Sequence, residues 1–193
     1  MRSSIESSTE VVLPELPATS WAVLGILSFG AELSGYDIKR WADQSLAFFY
    51  WAPSQSQIYT ELRRLERLGL ARSRVEQTHA AKSRRLYAIT DIGRRSMRQW
   101  VDEVPAEPVM LKHSHMLRVW AAHNGDPVRL RRALEGYRDE ALRAADAAIA
   151  HALGSRREEG WRFSGVALEW SERFYRDEAA RIEWLIERLD GMG

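Results

Sequence analysis

Between Ser54 and Ile89 the chain prescribes a helix followed by a basic hairpin, and few folds present those elements in that order. The helix opens at Ser54, directly after Pro53. Ile58, Leu62, Leu65 and Leu68 recur at spacings of three and four, so they share one face. Gly69 ends the helix, because glycine accepts the left-handed backbone that closes one. Leu70 to Gln77 and Ser83 to Ile89 then read as strands, joined by the polar tip Thr78-His79-Ala80-Ala81-Lys82. Helix and hairpin together predict the recognition half of a winged helix-turn-helix. That arrangement aims a helix at a DNA groove and an arm at the adjacent phosphates.

Charge supports this placement once it is divided along the chain. The net charge is only +1. Residues 51–90, however, hold eight basic side chains (Arg63, Arg64, Arg67, Arg72, Arg74, Lys82, Arg84, Arg85) against Glu61, Glu66 and Glu76, an excess of five. From Val104 onward, fourteen basic residues face fifteen acidic ones. Localised basicity is the footprint expected of a surface that meets a polyanion.

The remaining pattern is helical. Residues 1–17 read as a loose arm, 18–103 as the winged domain and 109–193 as a helical domain. Thr19 to Phe29 is an apolar helix, and Ser34 with Asp37 opens a second. Thr90 caps a fourth helix, after the hairpin. Val104-Pro105-Ala106-Glu107-Pro108 breaks the helical pattern and reads as a linker. Beyond it, Met110 to His123 is predicted to be one helix. Asp126-Pro127 starts a long helix to about Leu153, with an apolar stripe through Leu130, Leu134, Tyr137, Ala141, Ala145, Ala148 and Ala152. A second long helix, from about Trp161 to Leu189, carries Val166, Trp170, Phe174, Ile182, Leu185 and Leu189. Two such stripes bury little against each other alone, so a homodimer through these helices is expected. The fold class is thus mainly α: a winged helix-turn-helix with a two-stranded wing, plus a helical C-terminal dimerisation domain.

Three stretches, LGILSFGAELSGYDIKRW, WAPSQSQIYTELRRLERLGL and KSRRLYAITDIGRRSM, together resemble the PadR family of bacterial transcriptional regulators. The resemblance runs from about Trp21 to Val101 and rests on the combination, including Gly35, Tyr36, Pro53, Tyr59, Glu66, Gly69, Tyr87 and Gly93. It implies a DNA-binding regulator, a repressor, that binds a pseudo-palindromic operator as a homodimer. By length and pattern, the C-terminal half is similar to the dimerisation region of the longer members.

Candidate contacts follow. Ser54 and Gln57 fit a capping box, while Gln55, Ser56 and Gln57 also fall in the first turn, where a recognition helix meets base edges. Tyr59 reads either as core beside Ile58 or as a phosphate contact, and the resemblance favours the latter. Arg63 lies one turn further on the same side. Lys82, Arg84 and Arg85 on the wing, with Tyr87, are placed for phosphates or the minor groove. Tyr36 and Lys39, early in the second helix, are placed for backbone phosphates.

The eight tryptophans read first as core and interface. The resemblance also implies a pocket for a small aromatic effector, for which Trp120, Trp161, Phe163 and Trp170 are candidates. His113 and His115 lie two apart, on opposite sides of a helix, with no cysteine in the chain to complete a site, so no metal and no cofactor are expected. No nucleophile, glycine-rich phosphate loop or paired-carboxylate motif marks an enzyme. No apolar run approaches the ~20 residues of a membrane span, and Glu6 and Glu10 do not suit a signal peptide, so a cytoplasmic protein is expected. The competing class is a helical protein-interaction module whose winged domain binds a protein.

Overall fold

Two hydrophobic patterns build two separate packing units in the computed structural model, which describes residues 13–77, 83–156 and 159–192. Most of the expected N-terminal arm, and the wing tip with Lys82, lie outside the described residues. One unit comprises the chain up to Ala42 together with Ala52–Ala106; the other joins Asp43–Trp51 to the chain from Glu107 onward.

In the winged unit, α1 (Ala18–Leu27) is apolar almost all round, and six of its ten residues are buried. It is followed by β1 (Leu33–Ser34), α2 (Gly35–Gln44), α3 (Gln55–Arg67), β2 (Ala71–Gln77), β3 (Ser83–Ile89) and α4 (Asp91–Glu103). Ser34 and Asp37 cap the start of α2 reciprocally: the Ser34 N–H donates to Asp37 Oδ2 at 3.1 Å and the Asp37 N–H to Ser34 Oγ at 3.2 Å. The core is built from large side chains, with Leu24, Leu27, Ile38, Ile58, Leu62 and Leu65 all fully buried. Trp21 stacks on Trp100 at 5.3 Å and ties α4 to α1.

The sheet is antiparallel in the order β1-β3-β2, one strand more than the two-stranded wing expected. The extra strand is two residues long, Leu33 opposite Tyr87 and Ser34 opposite Leu86, too short to leave an alternating pattern. Gly69 has φ +70°. There the Gly69 N–H reaches the Glu66 carbonyl and the Leu70 N–H reaches the Leu65 carbonyl, so the chain turns straight from α3 into β2. Gly93 permits a closer approach still: a Cβ on it would lie 2.1 Å from the Leu70 carbonyl oxygen.

The helical unit contains α5 (Ser114–Trp120), α6 (Pro127–Ser155) and α7 (Arg162–Asp190). α6 begins as its sequence requires, with Asp126 Oδ1 accepting from the Val128 N–H at 2.8 Å and Pro127 in the first turn. α5 is shorter than the expected 110–123 helix. Val109, 99% exposed, and its neighbours Met110 and Leu111 bury little among the described residues, so little packing stabilises a helix there. The helix starts only where His113 Nδ1 accepts the Met116 N–H and its Nε2 meets the buried Glu178 carboxylate at 2.7 Å. Arg181 Nε and the Tyr137 hydroxyl donate to the same carboxylate.

The contact between α6 and α7 has two characters. Near the open end, Leu134, Ile182, Leu185 and Ile186 form a small aliphatic cluster, flanked by Val119, Leu130, Tyr137 and Leu189. Towards the turn, α6 buries only small side chains, Ala141, Ala145, Ala148, Ala152 and Ser155. This corrects the expected stripe of α7. Its buried residues in that half are Gly165, Leu168 and Ser171, whereas Val166, Trp170 and Phe174 are exposed. An alanine seam draws the helices too close for a tryptophan or phenylalanine. A Cβ on Gly165 would already lie 2.8 Å from Ser155 Oγ. The turn Leu46–Phe48 belongs to this unit, where Phe48 packs on His151.

Candidate nucleic-acid interface

The first turn of α3 is exposed and internally braced. Ser54 Oγ accepts the Gln57 N–H at 3.3 Å, and Gln57 Oε1 accepts the Ser54 N–H at 2.8 Å, a complete capping box. Ser56 Oγ sits 3.0 Å from Ser54 Oγ. Of the first-turn side chains, Gln57 therefore has its carbonyl oxygen committed to the cap, while Gln55 is half-buried with no such bond. The helix is also held from behind. Glu61 is buried on the core side of α3, where it accepts a hydrogen bond from Ser20 Oγ of α1 and pairs with Arg64 Nε at 3.1 Å.

Tyr59 resolves into an intermediate position. Its ring lies against Gly35 at the start of α2, where a Cβ would stand 2.6 Å from Tyr59 Cε1, yet 41% of the residue is exposed. Tyr36 is exposed in the adjoining first turn of α2, and Lys39 is half-buried one turn on. Arg63 is exposed one turn beyond Tyr59 and has no ion pair among the described residues. Tyrosines and cations from two helices thus border the exposed start of α3.

The two sheet faces divide the wing arginines. On one face, Arg74 Nη2 lies 2.6 Å from Glu32 and 3.3 Å from Glu76, and Arg84 Nε lies 2.6 Å from Glu76. Register explains the last pair, because Glu76 stands directly opposite Arg84. The hydrogen bond from Arg84 holds the Glu76 carboxyl below its usual range, and that from Arg74 does the same for Glu32. On the other face, Glu66 of α3 accepts from Ser73 Oγ at 2.5 Å and stands 4.0 Å from Arg85. Counting Glu66 and Glu76 only as opposing charge missed these pairings, although the five-residue tip already implied the register that sets Glu76 opposite Arg84.

Tyr87 requires a correction. At 3% exposure it is buried, paired between Leu33 of β1 and Ser73 of β2, and is not a phosphate contact. Simple alternation fails there because both Leu86 and Tyr87 are covered once the strand enters the body of the unit.

The effector candidates are not gathered within one chain. Trp120, 80% exposed, ends α5 directly after Val119, which packs on the aliphatic cluster near the open end of α6 and α7. Trp161 and Phe163 lie at the other end, at the start of α7, and Trp170 stacks on Phe174 at 5.4 Å two turns along. A cleft of about 570 Å³ beside the turn is lined by Arg156, Arg162, Phe163, Val166 and Glu169, so only Phe163 of the four reaches it. Among the described residues, no cluster could hold a metal ion and no helix is long and apolar enough to cross a membrane.

Comparison with known proteins places this geometry. The "Negative transcriptional regulator PadR" of Bacillus subtilis (strain 168) is 33% identical over 100 residues, which span 52% of this chain and 54% of that protein. The fold matches a crystal structure of Bacillus subtilis PadR in complex with operator DNA at 22% identity and TM-score 0.70, covering 90% of this chain and 99% of that one. It also matches a structure of the same regulator in complex with p-coumaric acid, at 23% identity and TM-score 0.62, with 89% and 98% covered. Residues 23–99 fit the model of the transcriptional regulator PadR-like family. Through this winged half, the chain is similar to the transcriptional regulators of the PadR-like family.

Proposed function

We propose that the chain is a sequence-specific DNA-binding repressor that acts as a homodimer in the cytoplasm and is released by a small aromatic effector. The observation that carries this reading is the exposed, capped start of α3, bordered by Tyr59, Tyr36 and Arg63, with a basic hairpin in the same unit. Gln55, Ser56 and Gln57 meet base edges, and Ser54 holds the helix start. Tyr36, Lys39, Tyr59, Arg63, Lys82, Arg84 and Arg85 meet phosphates. The operator complex of the Bacillus subtilis regulator supports the DNA partner, and its name supports repression.

The homodimer is supported by what the helical unit leaves exposed. Phe163, Val166, Trp170, Phe174 and Trp184 follow one side of α7, and Val109, Met110 and Leu111 are bare. Monomers rarely leave so many large apolar side chains exposed along one helix, and a second copy would cover them. Two-fold symmetry then sets half-sites about 34–36 Å apart, or a multiple of that. The p-coumaric acid complex of the relative supports the effector class. The domain division 1–17, 18–103 and 109–193 serves this reading as arm, DNA reader and dimeriser.

The test is to recover genomic fragments bound by the full-length protein, sequence them and measure affinity against salt. A shared pseudo-palindrome with steep salt dependence is expected. Salt-insensitive or absent binding to every duplex, with retention of a protein partner instead, would turn the reading towards an interaction module. p-Coumaric acid and related phenolic acids should weaken operator binding.

A further inference from the structure

We infer that Glu76, assisted by Glu32, is a specificity-determining residue that withholds the wing arginines from DNA of arbitrary sequence. The inference rests on the DNA-binding reading above. Across one face of the sheet the charges alternate as Glu32, Arg74, Glu76 and Arg84, each within 3.3 Å of the next. Asp37, at the start of α2, adds a second negative field on Arg84. The wing therefore presents Arg74 and Arg84 already bound to carboxylates. For Arg84 to reach a phosphate, it must leave Glu76 or carry the Glu76 charge towards a polyanion, and both are unfavourable.

That cost falls unequally on different DNA. Attraction to arbitrary duplex comes almost wholly from phosphates, so nothing offsets the cost. On the operator, base contacts from the start of α3 fix the register and contribute free energy of their own. Exposed ion pairs are individually weak, so the brace gives way once the duplex is seated. Arg63, Arg67 and Arg72 have no ion pair among the described residues and remain to make the first encounter. Glu76 thus lowers the background of bound but wrong sequences more than it lowers operator affinity.

The experiment measures the affinity of the full-length protein, over a range of salt, for a random-sequence duplex and for the operator recovered by genomic selection. Glu76→Gln keeps the shape and removes the charge. It should tighten random-duplex binding about tenfold at ~0.1 M salt and steepen the salt slope by about one unit, the effect of one added phosphate contact. Operator affinity should rise less, so the specificity ratio falls. In an Arg84→Ala background the gain should vanish. Glu32→Gln, which loosens only Arg74, should give a smaller change of the same sign. The inference is overturned if the gain persists without Arg84, since Glu76 then acts by general repulsion. It is also overturned if Glu76→Gln binds random duplex no better, since the brace then only supports the wing. Wild-type protein that binds neither duplex would instead overturn the DNA-binding reading itself.

Discussion

The winged unit closes its own core, and the helical unit does not. Leucines and isoleucines from three helices fill the first, and its sheet and tryptophan stack seal it. The second meets across alanines over half its length, has one four-residue aliphatic cluster, and leaves Trp120, Phe163, Trp170 and Trp184 in solvent. Hydrophobic content alone does not distinguish them. What differs is where the large side chains point, inward in the winged unit and largely outward in the helical one.

The sharpest way to break this contrast is to strike the self-sufficient unit from inside. Gly93→Ala places a methyl group against the Leu70 carbonyl in a site that cannot move without separating α4 from β2. A destabilisation of about 3 kcal/mol is expected, at the upper end of overpacking effects. Chemical denaturation of residues 13–106 would measure it, and an unchanged midpoint would show that the unit is looser than its packing implies.

The opposite test removes a large side chain from the outward-facing unit. Trp170→Ala should leave monomer helicity intact, because the residue is 56% exposed. It should weaken self-association by about 2 kcal/mol, roughly thirtyfold, as expected for an aromatic anchor at an interface. Sedimentation over a concentration series would read both. Loss of helicity without a change in association would mean that the outward stripe is structural.

A smaller effect separates folding from reading within α3. Ser54→Ala removes the cap and should cost about 1 kcal/mol of stability. Ser54→Asp restores the acceptor and should recover the stability, while operator binding falls because a carboxylate then stands where phosphates approach. Equal recovery of stability and binding would argue that the start of α3 does not face DNA.

The smallest effect is a pH dependence that sets in first in the helical unit. Burial opposes ionisation of Glu178, but hydrogen bonds from Arg181 and His113 outweigh it and lower its pKa below the ordinary 4.5. Burial and the neighbouring His113 lower His115 below 6.5. In both cases the unfolded chain takes up the proton first. Their stabilisation is therefore complete above the unfolded values and declines as pH falls, first below 6.5 through His115, then below 4.5 through Glu178. Hydrogen-exchange protection of α7, corrected for intrinsic rates, should fall in that order, its first decline preceding any in α1 and α3. A first decline in α1 would refute the assignment.

Much of this contrast was legible in residue order. The limits of α3, β2 and β3 follow from local signals, Ser54, Gly69 and the five-residue tip, that act within one turn. Asp126-Pro127 marked α6 in the same way. What escaped was decided across space. The inward face of α7 depends on the alanines opposite it, so a helical stripe through Trp170 looked equally good in isolation. β1 is formed by pairing alone, and Tyr87 is buried because β1 covers it. Helix 110–123 had the periodicity but no surface to bury it against. At the interface, the exposed positions of α3 were readable, and the hairpin register already set Glu76 opposite Arg84, but the pair of Glu32 with Arg74 was not, because it joins residues 42 apart in sequence.

The capping box at the start of α3 sets a limit on how much the protein can say about its target. Bidentate recognition of adenine needs both the carbonyl and the amino group of a glutamine. Gln57 has lent its carbonyl to the backbone of Ser54 and keeps only a donor. A lone donor is accepted by N7 of adenine or guanine alike. On the DNA-binding reading proposed above, the column facing Gln57 in an alignment of bound sites should therefore carry little information, any base that presents a major-groove acceptor, adenine, guanine or thymine, while the column facing Gln55 stays sharp. Such degeneracy would be written by the stability of the helix rather than by selection for a loose code.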